Sequence, residues 1–393
     1  MTFPIMSFPR LSQTSRALKP QAFLLLVALC GPATVSAAPT PEVYWSGFTF
    51  KGASASVEKR YPRLYRLVAG NDTIQSVGTD AQTYFREWFR SRSRRIPGVA
   101  LKNGLAEIDK TSTALSFAVT EETVLVEKLS ANYKLNIQLG FEVVLLDFEK
   151  LKVVSSTPVL IELRDTTVVE PDDSYFLDRI AKMTFGEDSQ LTKALESKLP
   201  HIKPRGQGRG PTLRVLSATI SNQAKDYLPA YMLEGLGAEL NSAQIILGQT
   251  FSYMLNDQAG IALLPFIKDQ ANASMALVFA DGSVVDFQVP YPSFAIDLNL
   301  KGFKKVRVKE TRAESLWIYG AYLDLRLHDP DLKTEYINAT YKHGVQKLIP
   351  ATQTHVDDFP VFNEALKGAI LKAIMGMQAD SKTKRVVLAN CKL

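Results

Sequence analysis

Cysteine and histidine are scarce in this chain of 393 residues, which has two cysteines, Cys30 and Cys391, and four histidines. The histidines are His201, His328, His343 and His355. None lies at the i, i+4 spacing of a helical metal site, and no H-E-x-x-H, C-x-x-C, G-x-S-x-G or phosphate-loop motif occurs. The sequence therefore predicts no catalytic residue, no metal site and no cofactor. A Ser–His–Asp site assembled from distant segments stays open, because such triads are defined in space.

Long apolar runs are also missing. The run at residues 22–30 (AFLLLVALC) is far shorter than the roughly 20 residues that a membrane-spanning helix needs. Two basic residues precede it and the small residues 35–37 (VSA) follow it, which is the pattern of a secretory signal peptide. We predict cleavage near Ala37-Ala38 and a periplasmic or secreted mature chain without a transmembrane segment. A short membrane anchor is the alternative interpretation of the same run.

Cys30 lies at the end of this apolar run and follows Leu29. A lipidated cysteine normally follows a small residue, so we interpret Cys30 as part of the discarded signal peptide. The mature chain then keeps Cys391 alone, which excludes an internal disulfide and leaves packing to stabilise the fold.

A strong charge of one sign is absent as well. The formal net charge of +6 falls to +3 without residues 1–37, which hold three basic residues and no acidic one. This balance is too mild to predict a nucleic-acid partner. The content of 46% hydrophobic and 22% charged residues is ordinary for a globular protein and excludes disorder of the whole chain.

The best domain boundary lies at residues 198–211 (KLPHIKPRGQGRGP), where proline, glycine and basic residues replace apolar ones. We predict a signal peptide at 1–37, a first domain at 38–198, a linker at 199–211 and a second domain at 212–393. The alternating glycines of the linker precede a strand-like run, whereas those of a dinucleotide-binding loop follow a strand.

The first half alternates between strand and helix patterns. Residues 43–50 predict a strand, and residues 80–95 predict a helix with its aromatic side chains on one face. Residues 135–145 carry apolar side chains at every odd position, which predicts a strand with one solvated face. Residues 153–163 predict the returning strand, and residues 174–197 a closing helix.

The second half repeats this order. A strand at 213–220 and a helix at 240–256 precede further strands, and a helix at 360–377 closes the half. The strands include a hairpin around Asp281-Gly282 and then runs at 294–300, 304–309, 317–327 and 336–341. We therefore predict an α+β protein of two similar units, each an antiparallel sheet with flanking helices, produced by internal duplication. The segments 140–147 and 320–329 are comparable, although the second is two residues longer.

In both halves a strand ends in aspartate, turns, and returns as a second strand: 141–147 with 153–156, and 322–329 with 336–338. This arrangement resembles small α/β domains of bacterial envelope assembly factors, namely the curli-secretion channel subunit and domains related to the N-terminal part of the Tol translocation protein. The resemblance implies an envelope location. The lipidation cysteine and the membrane-crossing hairpins of the channel subunit have no match here, so pore formation is not implied.

Residues 45–52 (WSGFTFKG) and 133–158 are also similar to secreted bacterial proteins of unassigned function. That similarity implies a location more than an activity.

The densest charge cluster lies on the predicted helix at 80–95, opposite part of its aromatic face. It consists of Arg86, Arg90, Arg92, Arg94 and Arg95. Guanidinium groups bind phosphate, carboxylate and other anions well, so these arginines are candidate residues for binding an anion or a partner. A solvated basic face at a helix C-terminus is the simpler interpretation.

Acidic residues cluster at Glu121-Glu122 and again at Glu170, Asp172 and Asp173. Neither cluster has the spacing of a calcium loop, and we interpret both as solvated loop carboxylates. Together these features predict an exported, non-catalytic factor that binds or assembles an envelope protein partner through protein or anion contacts, in an oligomeric state that the sequence leaves open. A periplasmic hydrolase with a dispersed Ser/His/Asp site is the alternative.

Overall fold

The computed structural model describes residues 42–68, 74–96, 100–102, 113–129, 132–202, 210–233, 242–267, 273–279, 281–353 and 356–391. The predicted signal peptide and residues 203–209 of the predicted linker lie outside the described residues, as does His355. Described residues on both sides of residues 203–209 belong to one compact unit, Thr40–Leu393. The boundary between two domains stays a prediction.

The strands and helices are named in chain order. The strands are β1 (Glu42–Lys51), β2 (Ala100–Lys102), β3 (Thr113–Lys128), β4 (Tyr133–Asp147), β5 (Lys152–Thr167), β6 (Leu213–Ile220), β7 (Ala273–Phe279), β8 (Val284–Val289), β9 (Phe294–Glu310), β10 (Glu314–Asp329) and β11 (Thr334–Pro350). The helices are α1 (Ser54–Arg60), α2 (Pro62–Val68), α3 (Ala81–Arg92), α4 (Asp173–Thr184), α5 (Gln190–Lys198), α6 (Asn222–Lys225), α7 (Ala230–Leu233), α8 (Ser242–Ala259) and α9 (Phe359–Ala379), followed by short helical turns up to Cys391.

Local sequence explains most of these elements. The hairpin at Asp281-Gly282 joins β7 to β8, and Gly282 has the positive φ of 83° that its turn requires. The helix predicted at 174–197 is wrong as one element: it is α4 and α5, separated by Gly186 at φ 104°. The two strands predicted at 294–300 and 304–309 are the single strand β9.

The first sheet has seven strands in the order β2-β1-β3-β4-β5-β8-β7. β7 also pairs with the end of β1, so the sheet closes on itself. β7 and β8 come from the chain beyond the predicted linker. A hairpin pattern predicts the pairing of its own two strands but not the sheet edge that they join.

The second sheet has four strands in the order β11-β10-β9-β6. In both sheets a first strand runs parallel to the opening strand of an antiparallel three-stranded meander: β1 beside β3, and β6 beside β9. The α+β class is confirmed, and the expectation of purely antiparallel sheets is wrong. The parallel pairs arise because helices connect the two strands in each case.

The two meanders also share their irregularities. In each sheet a β-bulge inserts an extra residue into the first strand, the opening strand of the meander and its last strand, and β9 has one further bulge, at Val308. The extra residues are Ser46, Thr120 and Val154 in the first sheet and Leu216, Lys301 and Tyr336 in the second. By these bulges residues 140–147 correspond to 322–329, so the expected difference of two residues is wrong.

Helices cover the sheets unequally. α1 to α5 pack on one face of the first sheet around an aromatic core that includes Phe48, Phe85 and Phe117. α8 and α9 pack on the second sheet. α8 also covers the other face of the first sheet, where Tyr253 and Gln249 contact Thr120. β4 is consequently buried on both faces from residue 137 to residue 146, and the prediction of a solvated face is wrong.

Candidate functional site

The predicted arginine cluster lies on α3 and the 3₁₀ turn that follows it. Asp80 caps α3 by accepting a hydrogen bond from the backbone N–H of Thr83, and Phe85, Trp88 and Phe89 face the core. The arginines occupy the opposite side, as the aromatic spacing predicts. Arg86 and Arg90 both pair with Glu87, at 3.4 and 3.1 Å.

Two further arginines connect α3 to α5. Arg92 and Arg95 pair with Glu196 at 2.8 and 3.4 Å, and Arg92 also lies over the ring of Trp88. The Arg92 guanidinium, hydrogen-bonded to the carboxylate, lowers the pKa of Glu196. Arg94 is exposed, and no ion pair joins it to another described residue. Four of the five arginines thus have acidic neighbours within the chain, and their predicted role in binding an anion or a partner stays a proposal.

A different region shows the geometry of a binding site. β1 pairs with β3 as far as Val119, and beyond the bulge at Thr120 the only described strand beside β3 is β4. The other edge of β3 is therefore without a strand neighbour from Glu121 to Lys128 in the described part of the chain. Tyr61 and Gln249 fix the bulge itself, because both donate side-chain hydrogen bonds to the carbonyl oxygen of Thr120.

Two adjoining cavities follow this edge. A cavity of about 480 Å³ borders β3 from Thr120 to Val126, with basic residues of α1 and α2 at its mouth and apolar side chains of α4 and α8 along its wall. A second cavity of about 610 Å³ shares Val124 and Val126 with the first. Its other wall is formed by residues 226–229 and by the start of α9. We call the two cavities together the β3-edge groove.

The β3-edge groove has opposite charges at its two ends. Lys59, Arg60 and Arg63 line the first cavity beside Glu121 and Glu122. The charged residues that line the second cavity are acidic: Asp226, Asp357 and Asp358. Arg63 pairs with Glu122 and Asp173, and Asp358 pairs with Lys305, so part of each charge is already balanced.

Glu121 lies on the wall of the first cavity and is 4% exposed. Its Oε1 atom accepts hydrogen bonds from the side chains of Gln138 and Thr123, whereas its Oε2 atom has no hydrogen-bond partner among the described residues. Burial raises the pKa of Glu121 to about 7, against the smaller opposing effects of the Gln138 hydrogen bond and Lys367. A buried carboxyl of this kind can donate or accept a hydrogen bond near neutral pH.

Glu122 has a different role. Its carboxylate accepts hydrogen bonds from the backbone N–H groups of Arg63 and Leu64, at 3.0 to 3.2 Å, and so caps the start of α2. Burial raises the pKa of Glu122, and these N–H groups oppose the rise. The interpretation of Glu121-Glu122 as solvated loop carboxylates is wrong.

One sequence signal could have located this site. The larger apolar residues in the first half of β3, Leu115, Phe117 and Val119, occupy odd positions, and this alternation stops at the polar residues 120–123. A break in alternation inside a strand is typical of a bulge, and the structure has one at Thr120. It also places Glu121 and Glu122 inside a strand and on opposite faces.

The second acidic cluster is structural. Asp172 caps α4 through the backbone N–H of Tyr175, and Asp173 pairs with Arg63 and Arg66. Glu170 accepts a hydrogen bond from the hydroxyl of Tyr133. These carboxylates fasten α4 to α2 and to the sheet.

The described histidines lie apart from the groove. His328 bonds Asp297 at 2.9 Å on the outer face of the second sheet, and among the described residues no serine or threonine completes a triad there. His343 lies against Gly368 of α9. Within the described ranges no three histidine, cysteine or acidic side chains come together as metal ligands. No described helix combines the length and the apolar content needed to cross a membrane.

No family model matches this chain, and no curated protein matches it. Among solved structures, a Caulobacter crescentus protein described as a candidate lipoprotein is 16% identical over 34% of this chain and 79% of its own, with a TM-score of 0.20. A Xanthomonas campestris protein of the DUF330 family is 7% identical over 45% of this chain and 87% of its own, with a TM-score of 0.21.

Likeness at these values carries no argument about fold or function. Neither protein is described as a curli-secretion or Tol protein, so that resemblance stays a prediction.

Proposed function

We propose that this chain is an exported, non-catalytic factor of the bacterial envelope that binds a partner at the β3-edge groove. One observation carries the proposal: half of a long strand has an edge without a strand neighbour in the described residues, and that edge lies in a groove between helices. Unpaired edges attract other chains, and natural proteins usually cover them. An edge that is recessed between helices is shielded from general aggregation but accessible to a specific ligand.

The groove is better suited to binding than to catalysis. Its titratable residues include the paired Arg63 and Glu122 and the buried Glu121, and none of the described histidines lines it. The predicted signal peptide at 1–37 supports export. The arginines of α3 lie on another surface, and we propose that they contribute at most a secondary contact.

Crosslinking in cells tests this proposal. A photo-reactive amino acid replaces Val126, which is 39% exposed and lines both cavities. The matched control replaces Leu332, which is 74% exposed in the turn between β10 and β11, outside the groove. We expect a discrete crosslinked protein from position 126 only. The same products from both positions, or none from position 126, would contradict the proposal.

A further inference from the structure

We infer that the occupant of the β3-edge groove is an extended peptide that adds to β3 as a strand, with an acidic residue toward Lys59 and a basic residue toward Asp226. This inference rests on the proposed function and specifies the partner's chemistry. It follows from the backbone, the walls and the charges of the groove.

The backbone of β3 supplies the first argument. A strand paired on one side directs about half of its N–H and C=O groups toward the other side. In β3 these groups border the groove, and Leu125, which lines the second cavity, is 7% exposed. Buried backbone groups need hydrogen-bond partners, and an added strand supplies them at regular spacing. An acyl chain cannot do so.

The dimensions agree with a strand. The two cavities follow β3 from Thr120 to Val126, a length of roughly 20 Å at about 3.3 Å per residue. Side chains of an added strand point alternately to its two faces. One wall carries Phe176 of α4, and the opposite wall carries Ile245 and Ile246 of α8, so apolar residues at alternate positions would be covered.

The charges set the direction. Lys59 lies at the end of the groove near Glu122, and it forms no ion pair with a described residue. Asp226 is exposed at the other end, near Asp357, whose pKa is raised by burial. A peptide with charges at both ends would therefore bind in one direction.

Glu121 is a buried polar group on the wall of the first cavity. Its Oε2 atom has no described partner, although a buried oxygen of this kind normally has one. The equivalent position in the second sheet is Gly302, against which Gln223 packs, so no comparable group is left there.

Synthetic heptapeptides test the inference on the full exported chain by fluorescence anisotropy. The first peptide reads Asp-Val-Thr-Val-Thr-Val-Lys, which places its aspartate toward Lys59 in parallel addition, and the second has the reverse order, which does so in antiparallel addition. We expect one of them to bind better than the other. N-methylation of alternate backbone nitrogens, which removes donors and keeps the side chains, should weaken that peptide about tenfold or more.

Charge reversal provides the matched variants. Lys59→Glu should weaken binding, and a peptide with lysine in place of its aspartate should recover it. Lys342→Glu reverses a charge at an exposed position of β11, outside the groove. It should change the binding of neither the original peptide nor the lysine-substituted one. Binding that tolerates N-methylation, or that is insensitive to Lys59→Glu, would overturn strand addition.

The outcomes separate the two proposals. A protein crosslinked from position 126 while neither peptide binds would retain the proposed function and reject strand addition. A fluorescent fatty acid that binds the groove in place of both peptides would reject the peptide and identify an acyl ligand. Binding by neither probe, together with no crosslink, would reject both proposals.

Discussion

The four strands of the second sheet match the order of β1, β3, β4 and β5 in the first and share three bulges with them, but only the first sheet is covered on both faces. Glu142 of β4 and Asp324 of β10 occupy equivalent positions by the shared bulges. Glu142 is buried against Lys51, whereas Asp324 is partly exposed and 3.9 Å from Lys301. The four-strand arrangement that the sheets share therefore accommodates either a buried ion pair or a partly exposed one, depending on whether a helix covers that face.

The open edges differ in the same way. In the second sheet β9 continues past its pairing with β6, and α6 and the residues after it cover only the start of this edge: the hydroxyl of Ser221 donates to the carbonyl of Lys301 at 2.6 Å, and Tyr227 packs edge-on against Phe303. Beyond Phe303 the residues of β9 are mostly exposed. In the first sheet the equivalent edge of β3 borders the β3-edge groove. The second sheet thus covers only the start of its free edge, whereas the free edge of β3 lies between helices.

The largest expected difference between the units is at the two equivalent carboxylates. Glu142→Gln removes the counter-charge of Lys51, whose pKa is already lowered by burial, and should destabilise the protein by about 3–5 kcal/mol. Asp324→Asn should cost less than about 1 kcal/mol because solvent screens its ion pair. Urea denaturation of both variants measures the difference. Equal costs would mean that the covering of the first sheet does not matter energetically.

The next effect depends on pH and belongs to the first unit alone. The folded pKa of Glu121 is about 7, above the unfolded value near 4.3. Between these values the folded state keeps a proton that the unfolded state loses, so stability falls as pH rises. Relative to Glu121→Gln, the wild type should lose about 3 kcal/mol from pH 4.5 to pH 7. Glu310→Gln, at an exposed position of β9, should show no such trend.

Sequence periodicity predicted most elements of both units, because alternation and helical spacing are local properties. Periodicity did not predict which faces of the sheets are covered by helices. The even positions of β4, such as Gln138 and Glu142, are polar, and polar residues at period two normally face solvent. They are buried because α8 covers this face from more than a hundred residues away, with Tyr253 against Gly140, which lies between them. No local pattern reports that contact.

The candidate site was missed for a related reason. A change of alternation phase is the sequence signature of a bulge, but it also separates two strands joined by a turn. The break in alternation at Lys301 led to the prediction of two strands, at 294–300 and 304–309, whereas the structure has a bulge inside the single strand β9. The break in alternation near Thr120 is also caused by a bulge. The arginines of α3 were located correctly, although their pairing with Glu196 depends on the distant helix α5.

A smaller effect is expected at two glycines of the meanders. A Cβ atom on Gly140 would overlap the hydroxyl of Tyr253, which is hydrogen-bonded to Thr120. Gly140→Ala should therefore destabilise the protein by about 1–3 kcal/mol, as overpacking does. At Gly320 the nearest atom to an added Cβ lies 3.7 Å away, so Gly320→Ala should be neutral or slightly stabilising. Thermal denaturation measures the stability of both variants. An unchanged melting temperature for Gly140→Ala would show that α8 can move away from the first sheet.

The smallest effect on stability is expected at α3, which precedes the first meander as α8 precedes the second. α8 is buried on most sides and has no basic residue in its last turn, whereas α3 presents arginines to solvent. Replacement of Arg86, Arg90 and Arg94 by glutamine should change stability by less than about 0.5 kcal/mol, because the pairs with Glu87 are exposed.

The same triple variant tests whether this exposed basic surface also binds. If the arginines hold an anionic partner, capture of the protein crosslinked from position 126 should weaken in the variant, and wild-type capture should fall as salt rises. The control is Arg307→Gln on β9, outside this cluster, which breaks an exposed pair with Glu310 and should leave capture unchanged. Capture that is independent of salt and survives the triple replacement would assign the arginines to solvation and leave the β3-edge groove as the site of contact.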